Sequence, residues 1–229
     1  VRARVAAVAL CLGAPALAAP PAPRELPAVA KDALCVTHGA LSSDGGAMHI
    51  GAPAVRAFGR GAGGEAAGLR FKYLGPTPTV SKLASGAVRA QLGLKLRAQD
   101  GCNLIYVMWR FAPKPELVVQ LKRNPGAHTN AECGTRGYSR VAAEHATPVD
   151  APEAGSAHAL QAEIAGGGLT AWIDGRVVWQ GALPEGARDL AGGPAGLRAD
   201  NVAAELELLA APAADGAEGR CPAHVTDDD

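Results

Sequence analysis

Aromatic side chains are scarce in this chain, with three Trp, three Tyr and three Phe among 229 residues. A core with so few rings leans on aliphatic residues, so each ring carries information about packing or binding. Neither sign of charge is in excess, since Lys plus Arg and Asp plus Glu both number 22. That balance sets up no global field drawing the chain to nucleic acid or to an anionic membrane. Beyond the first residues nothing approaches the ~20 consecutive apolar residues of a membrane-spanning helix, so no transmembrane segment is expected. No stretch repeats apolar residues at helical spacing over about a dozen positions. The CxxC, HExxH and G-x-S-x-G patterns are missing too, which argues against a zinc site and against the nucleophile elbow of serine hydrolases.

What is present begins with "VRARVAAVALCLGAPALAAP". Arg2 and Arg4 precede a short apolar run from Val5 to Leu12, and Ala16-Leu17-Ala18 supplies small residues for cleavage. Residues 1–18 therefore read as a signal peptide, and the protein as secreted or periplasmic. Lipidation at Cys11 is disfavoured because Leu10 stands where a small residue is needed. The exported chain keeps Cys35, Cys102, Cys133 and Cys221, an even set that implies two disulfides with three possible pairings. Residues 19–30, "APPAPRELPAVA", read as a Pro/Ala linker, 31–222 as a single domain and 223–229 as an acidic tail.

Within the domain the dominant period is two. "VRAQLGLKLRA" (88–98) alternates, with Val88, Ala90, Leu92, Leu94 and Leu96 on one face. "NLIYVMWRF" follows Asp100-Gly101, a two-residue hairpin signal. That turn sets Leu96 opposite Ile105, Leu94 opposite Val107, Leu92 opposite Trp109 and Ala90 opposite Phe111, four apolar pairs on one face. "ELVVQLKRN" (116–124) supplies a third strand, and "AHALQAEIAG" (157–166) a further one. In "LTAWIDGRVVWQG" (169–181) a turn at Asp174-Gly175 sets Trp172 opposite Val177 and Thr170 opposite Trp179, so both tryptophans share a face, with core filling favoured over a ligand platform. "AAELELLA" (203–210) is the last strand. "GRGAGG" (59–64) fits G-x-G-x-x-G, but the alternating "LRFKYLG" that follows is a strand, not the helix a dinucleotide needs. The reading is an all-β fold, a sandwich or jelly roll of antiparallel strands with little helix.

The run "LTAWIDGRVVWQG…GPAGLRADNVAAELELL" resembles the closing strands of concanavalin A-like lectin/glucanase jelly rolls. It is similar in particular to exported bacterial glycoside-hydrolase-like domains of unknown function. Trp172, Asp174 and Gly175 fill the pattern v-W-v-D-G-k-l-v, and Gly193, Gly196, Leu197 and Asp200 the pattern G-x-x-G-L-x-x-D/N. The resemblance implies the concanavalin A-like jelly roll and leaves the activity open, since this fold hosts lectins, hydrolases and adhesion domains. The E-x-D-x-x-E strand of the glucanases of this fold is not matched; only Glu205 and Glu207 pair on a strand, and they read as a solvated edge face. Calcium, which the fold admits, would call on Asp174, Asp200 or Asp44 in the absence of an Asp-rich loop, and no cofactor is expected.

Glu144-His145 and His128 with Glu132 read as surface or loop-packing groups. The face opposite Leu92, Leu94 and Leu96 is the candidate binding surface: Gln91, Lys95 and Arg97, then Tyr106 and Arg110 beside Met108, then Gln120 and Lys122. Topology favours Cys35–Cys221, because sandwich termini lie close together, and Cys102–Cys133 at one end of the sheet. The expectation is an exported, non-catalytic module for carbohydrate or another cell-envelope component. Its rivals are a glycoside hydrolase-like enzyme and a structural or protein-interaction domain without a small ligand.

Overall fold

The computed structural model describes residues 22–44 and 47–213. Its strands are β1 (Leu34–His38), β2 (Leu41–Asp44), β3 (Ala47–Ile50), β4 (Ala54–Pro76), β5 (Ala90–Leu96), β6 (Leu104–Ala112) and β7 (Glu116–Lys122). They continue with β8 (Tyr138–Arg140), β9 (His145–Ala146), β10 (Ala157–Ala165), β11 (Gly168–Ile173), β12 (Arg176–Ala182), β13 (Pro194–Asp200) and β14 (Val202–Pro212). Among the described residues, helix is confined to Asn130–Cys133 and to 3-10 turns at Lys31–Ala33 and Glu185–Leu190. The expected all-β jelly roll is the fold observed.

Strand β4 runs for 23 residues and belongs to both layers. Its first half pairs with β13 and β1, and its second half with β10 and β14. The first layer is ordered β8-β7-β6-β5-β13-β4; the second continues through β10, β11, β12 and β9 on one side of β4 and β14, β3 and β2 on the other. Leu92, Leu94, Ile105, Val107 and Val119 of the first layer enter one core with Leu160, Ala162, Leu206 and Leu208 of the second. Period-two sequence is what allows this, because each strand then offers the core a continuous apolar row.

Most of the hairpin register matches the sequence, with Leu96 opposite Ile105, Leu94 opposite Val107 and Leu92 opposite Trp109. A shift between Ala90 and Gln91 moves Ala90 opposite Ala112 instead of Phe111. The connection is also wider than a two-residue turn, since the Gln99 N–H donates to the Asn103 carbonyl. The Asp100 carboxylate organises it, accepting from the Cys102 N–H at 2.8 Å and from the Asn103 amide at 3.0 Å. At Asp174-Gly175 the turn is as expected, with φ of 50° and 77° as a type I′ turn requires. A shift beyond Trp172 then sets Trp179 opposite Ala171 and flips it to the other face. Trp179 joins the core, whereas Trp172 is buried on the outer face of the second layer. The two rings do not share a surface.

The segment read as a linker is docked on the second layer. Leu26 packs with Ala66 and Leu209, and Val29 donates its N–H to Leu208 at 2.8 Å. The signal peptide, Cys221 and the acidic tail lie outside the described residues. Cys35 is disulfide-bonded, and Cys102 is bonded to Cys133 with Cα atoms 5.9 Å apart. The Cys102–Cys133 bond closes a chain separation of 31 residues. Replacing both by Ser should lower the unfolding free energy by about 2–4 kcal/mol in urea titrations. An unchanged midpoint would show that this bond does not constrain the unfolded chain.

Candidate functional site

The outward face of the first layer carries the alternate residues of the same strands. Gln91 and Lys95 come from β5, Tyr106 and Met108 from β6, Gln120 and Lys122 from β7, and Arg198 and Asp200 from β13. Part of this face is roofless. A cleft of about 230 Å³ opens over Gln91, Tyr106, Met108, Gln120 and Arg198. One wall is Leu83–Ser85 with Arg89, and the other is Gly134, Thr135 and Tyr138.

Both walls are pinned. Asn201, at the β13–β14 connection with φ of 54°, accepts from the Ser81 N–H at 2.8 Å. It also donates to the carbonyls of Ser81 and Arg89, at 3.0 and 2.8 Å. The second wall follows Cys133, held by its bond to Cys102. Glu132 caps the short helix there, accepting from the N–H groups of His128 and Thr129 at 2.7 and 2.9 Å. His128 Nδ1 lies 2.9 Å from Asp100, whose hydrogen bond and charge raise the histidine's pKa. His128 and Glu132 thus hold a loop.

Beneath the cleft Asp200 is fully buried among three partners. Arg56 donates at 2.6 Å, Arg198 at 2.9 Å and the Gln91 amide at 2.5 Å. Burial alone would raise the carboxyl, but the charges of Arg198 and Arg56 and the bonds from Gln91 and Arg198 outweigh it and hold the pKa at about 2. An ionised carboxylate only accepts, so it fixes the Gln91 amide with Nε2 inward. Gln91 Oε1 is then left buried without a hydrogen-bond partner. Such an orphan acceptor in a cleft needs a donor from a ligand or from water.

Rings and cations alternate around it. Tyr106 and Tyr138 lie near-parallel, 16° apart with centroids 6.0 Å apart. The Arg198 guanidinium sits 5.2 Å over Tyr106, and Lys122 Nζ 4.9 Å over Tyr138. Lys95 Nζ sits 4.2 Å over Phe58. Glu116 joins Arg110 at 2.6 Å and Arg140 at 3.0 Å. Burial would raise the Glu116 carboxyl, yet bonds from the two arginines lower it; Arg110 is lowered by burial and by the nearby Arg89 charge.

Of the residues nominated from sequence, Gln91, Tyr106 and Gln120 line the cleft. Lys95 and Lys122 are on the same face but buried beside rings, and Arg110 is engaged by Glu116. Arg97 is not in this row. Its φ of 46° breaks the strand after Leu96, and its guanidinium takes both Glu65 oxygens at 2.7 and 2.6 Å. Tyr138 and Arg198 are not among the residues nominated from sequence, nor is Arg89, although the alternation of 88–98 puts Arg89 on the same face as Gln91 and Lys95. Arg198 was within reach of the alternation around Leu197 and Ala199, whereas Tyr138 lies on a strand of three residues, too short for a period.

Other candidates read differently. A wider groove of about 700 Å³ crosses the outer face of the second layer past Glu205 and Glu207. Glu207 is paired with Arg70 at 3.3 Å, both side chains well exposed, as for a solvated edge. A chain not evident in the sequence links Ser156 Oγ to His158 Nε2 and His158 Nδ1 to Asp174, each at 2.8 Å. The Ser156 hydroxyl also lies 2.5 Å from the Glu153 carbonyl, which competes with His158 for its proton, so the serine is not committed to a base–nucleophile bond. Asp174 also accepts from the Ala159 N–H at 2.8 Å. Asp174 and Asp200 are thus engaged by partners within the chain, and among the described residues no group of three or more His, Cys, Asp or Glu is assembled.

Neither a protein-family model nor a curated protein matches the sequence. Among solved structures, carbohydrate-binding module CBM66 from Bacillus subtilis aligns over 78% of this chain and 96% of its own, at 14% identity and a TM-score of 0.51. A tetrameric galectin from the ball sponge Cinachyrella sp. aligns over 69% and 99%, at 16% identity and 0.41. The Crh5 transglycosylase, solved in complex with NAG, aligns over 86% and 89%, at 16% identity and 0.45. At these identities the likeness is one of fold. The chain shares with CBM66 an antiparallel jelly-roll fold, the fold its closing strands implied.

The Asp200 cluster has a testable pH signature. Its carboxyl lies below the unfolded value of about 3.9, so its contribution is complete above that pH and fades as pH falls towards 2. Unfolding free energy should drop by about 2 kcal/mol across that window from this group alone. Asp200→Asn should cost about 3–5 kcal/mol at pH 7, because two buried guanidiniums lose their shared anion, and should flatten the acid limb. Denaturant titrations from pH 2 to 7 read both effects; an Asn variant as stable as the parent sinks the assignment.

Proposed function

We propose that this protein is an exported, non-catalytic module that binds carbohydrate, on a cell-envelope polymer or another glycan, in the cleft over Gln91, Tyr106 and Tyr138. The observation that carries the reading is Gln91 Oε1, a buried acceptor without a partner, positioned by an ionised carboxylate behind it. Sugars present hydroxyl donors around a ring whose C–H faces pack on aromatic side chains. The cleft offers a matching surface in Tyr106, Tyr138 and Met108. Its size suits one sugar residue with its neighbours running out along the open face. The fold-level likeness to CBM66 is compatible with this use and does not by itself argue for it.

Export is supported by the disulfide between Cys102 and Cys133 and by the bonded Cys35, which suit an oxidising compartment. Hydrolysis is the less favoured reading. A retaining glycosidase needs two free carboxylates about 5 Å apart. On this face Asp200 and Glu116 are each shared by two arginines.

Glycan-array screening followed by calorimetry on the hits tests the proposal, with a reducing-sugar assay alongside. Tyr138→Ala should weaken binding about tenfold, roughly 1.4 kcal/mol, at a temperature where circular dichroism shows the variant folded. Sugar release by the parent would favour the hydrolase. Silence on every glycan would favour a structural or protein-interaction role.

A further inference from the structure

We infer that the cleft selects an anionic sugar, a uronate, whose ring carboxylate is held by the Arg89 guanidinium while a ring hydroxyl donates to Gln91 Oε1. This rests on the glycan reading of the same cleft and specifies its ligand.

The argument begins with how the charges on this face are distributed. Each of its carboxylates is already shared by two guanidiniums: Asp200 by Arg56 and Arg198, and Glu116 by Arg110 and Arg140. Arg89 lines the cleft and is half-buried, and among the described residues no carboxylate lies within ion-pairing distance of it. It stands instead beside another cation, close enough to depress the pKa of Arg110. Arg110 already has the Glu116 carboxylate at 2.6 Å, so Arg89 is the guanidinium lining the cleft that is left to take an anionic ligand.

The position of Arg89 is fixed rather than incidental. Its carbonyl accepts from the Asn201 amide at 2.8 Å, and two residues along the chain Gln91 is held by Asp200 at 2.5 Å. Successive alternate residues on an extended chain lie roughly 6–7 Å apart. That span fits a carboxylate and a hydroxyl on the same pyranose ring. A guanidinium presents two parallel N–H groups that match a planar carboxylate, which favours a uronate over a monoanion of other shape. Tyr138, half-buried in the wall of the same cleft, supplies apolar surface for the C–H face of the sugar.

The test compares an oligouronate with the same oligosaccharide after its carboxyl groups have been reduced to alcohols, titrated calorimetrically into the protein. The parent should bind the oligouronate at least tenfold more tightly than the reduced form, with the preference shrinking as salt rises. Arg89→Gln should abolish the preference. Arg70→Gln, the same charge change on the exposed face of the other layer, should behave as the parent. Equal binding of both ligands, weakened by Tyr138→Ala, overturns the charge inference and leaves the glycan site standing. A preference that survives in Arg89→Gln also overturns it. If neither ligand binds but a sulfated neutral glycan does, the anion is not a carboxylate and the inference fails; if no glycan binds, both readings fail.

Discussion

Asp200 is the point on which this face of the molecule depends. Three strands converge on it, through Arg56 of β4, Arg198 of β13 and Gln91 of β5. A buried carboxylate is costly by itself, and so is each buried guanidinium; together they satisfy one another. The arrangement brings no large net stabilisation over an apolar core, but it fixes geometry. Arg198 is held over Tyr106, and Gln91 is forced to turn its carbonyl oxygen away. A slip of one residue in β5 or β13 would bury leucines outside and charges in the core. The cluster therefore specifies register as well as the acceptor in the cleft.

Glycines let the strands around this cluster approach. A Cβ on Gly93 would come within 2.2 Å of the Val107 carbonyl oxygen, and one on Gly196 within 2.3 Å of that of Ala57. Both lie on the strands that carry Gln91 and Arg198, so the floor of the cleft is drawn tight where its polar groups meet. Gly196 and Asp200 both belong to the closing-strand pattern visible in the sequence. Their association in the pattern thus has a physical reading: one permits the close packing that the other's ion cluster requires. Asn201, next in the chain, extends the same device to the loop that forms one wall.

Alternation made the strands and the face of β5, β6 and β7 legible, because a period of two is a local property. The points that it missed are those where one residue is inserted or a backbone angle changes sign. Trp179 turned inward at a bulge after Trp172, and Arg97 left its row at a positive φ, directed by Glu65, some thirty residues earlier in the chain. Nothing local marks either event. The docking of Leu26 was hidden for a related reason. A short Pro/Ala segment has no period of its own, and its partner strand β14 is the last in the chain. The Cys102–Cys133 bond was legible because the connection after β5 and the end of β7 lie at one end of the same sheet.

The rows of charge on the candidate face were read as groups reaching for a ligand, and burial changes what they can do. Lys95 and Lys122 are almost without solvent contact, each ammonium lying over a ring. A cation held in that way contributes a fixed positive potential rather than a mobile hand. Charge that is already desolvated and oriented needs little reorganisation when an anion arrives, which is the condition under which electrostatics aids recognition most. The half-buried Arg89 at the wall is then the group positioned to make contact, backed by a floor whose potential it shares. Selectivity for charge and selectivity for hydroxyl position would accordingly come from different layers of the same face, the first from its cations and the second from the acceptor that Asp200 orients.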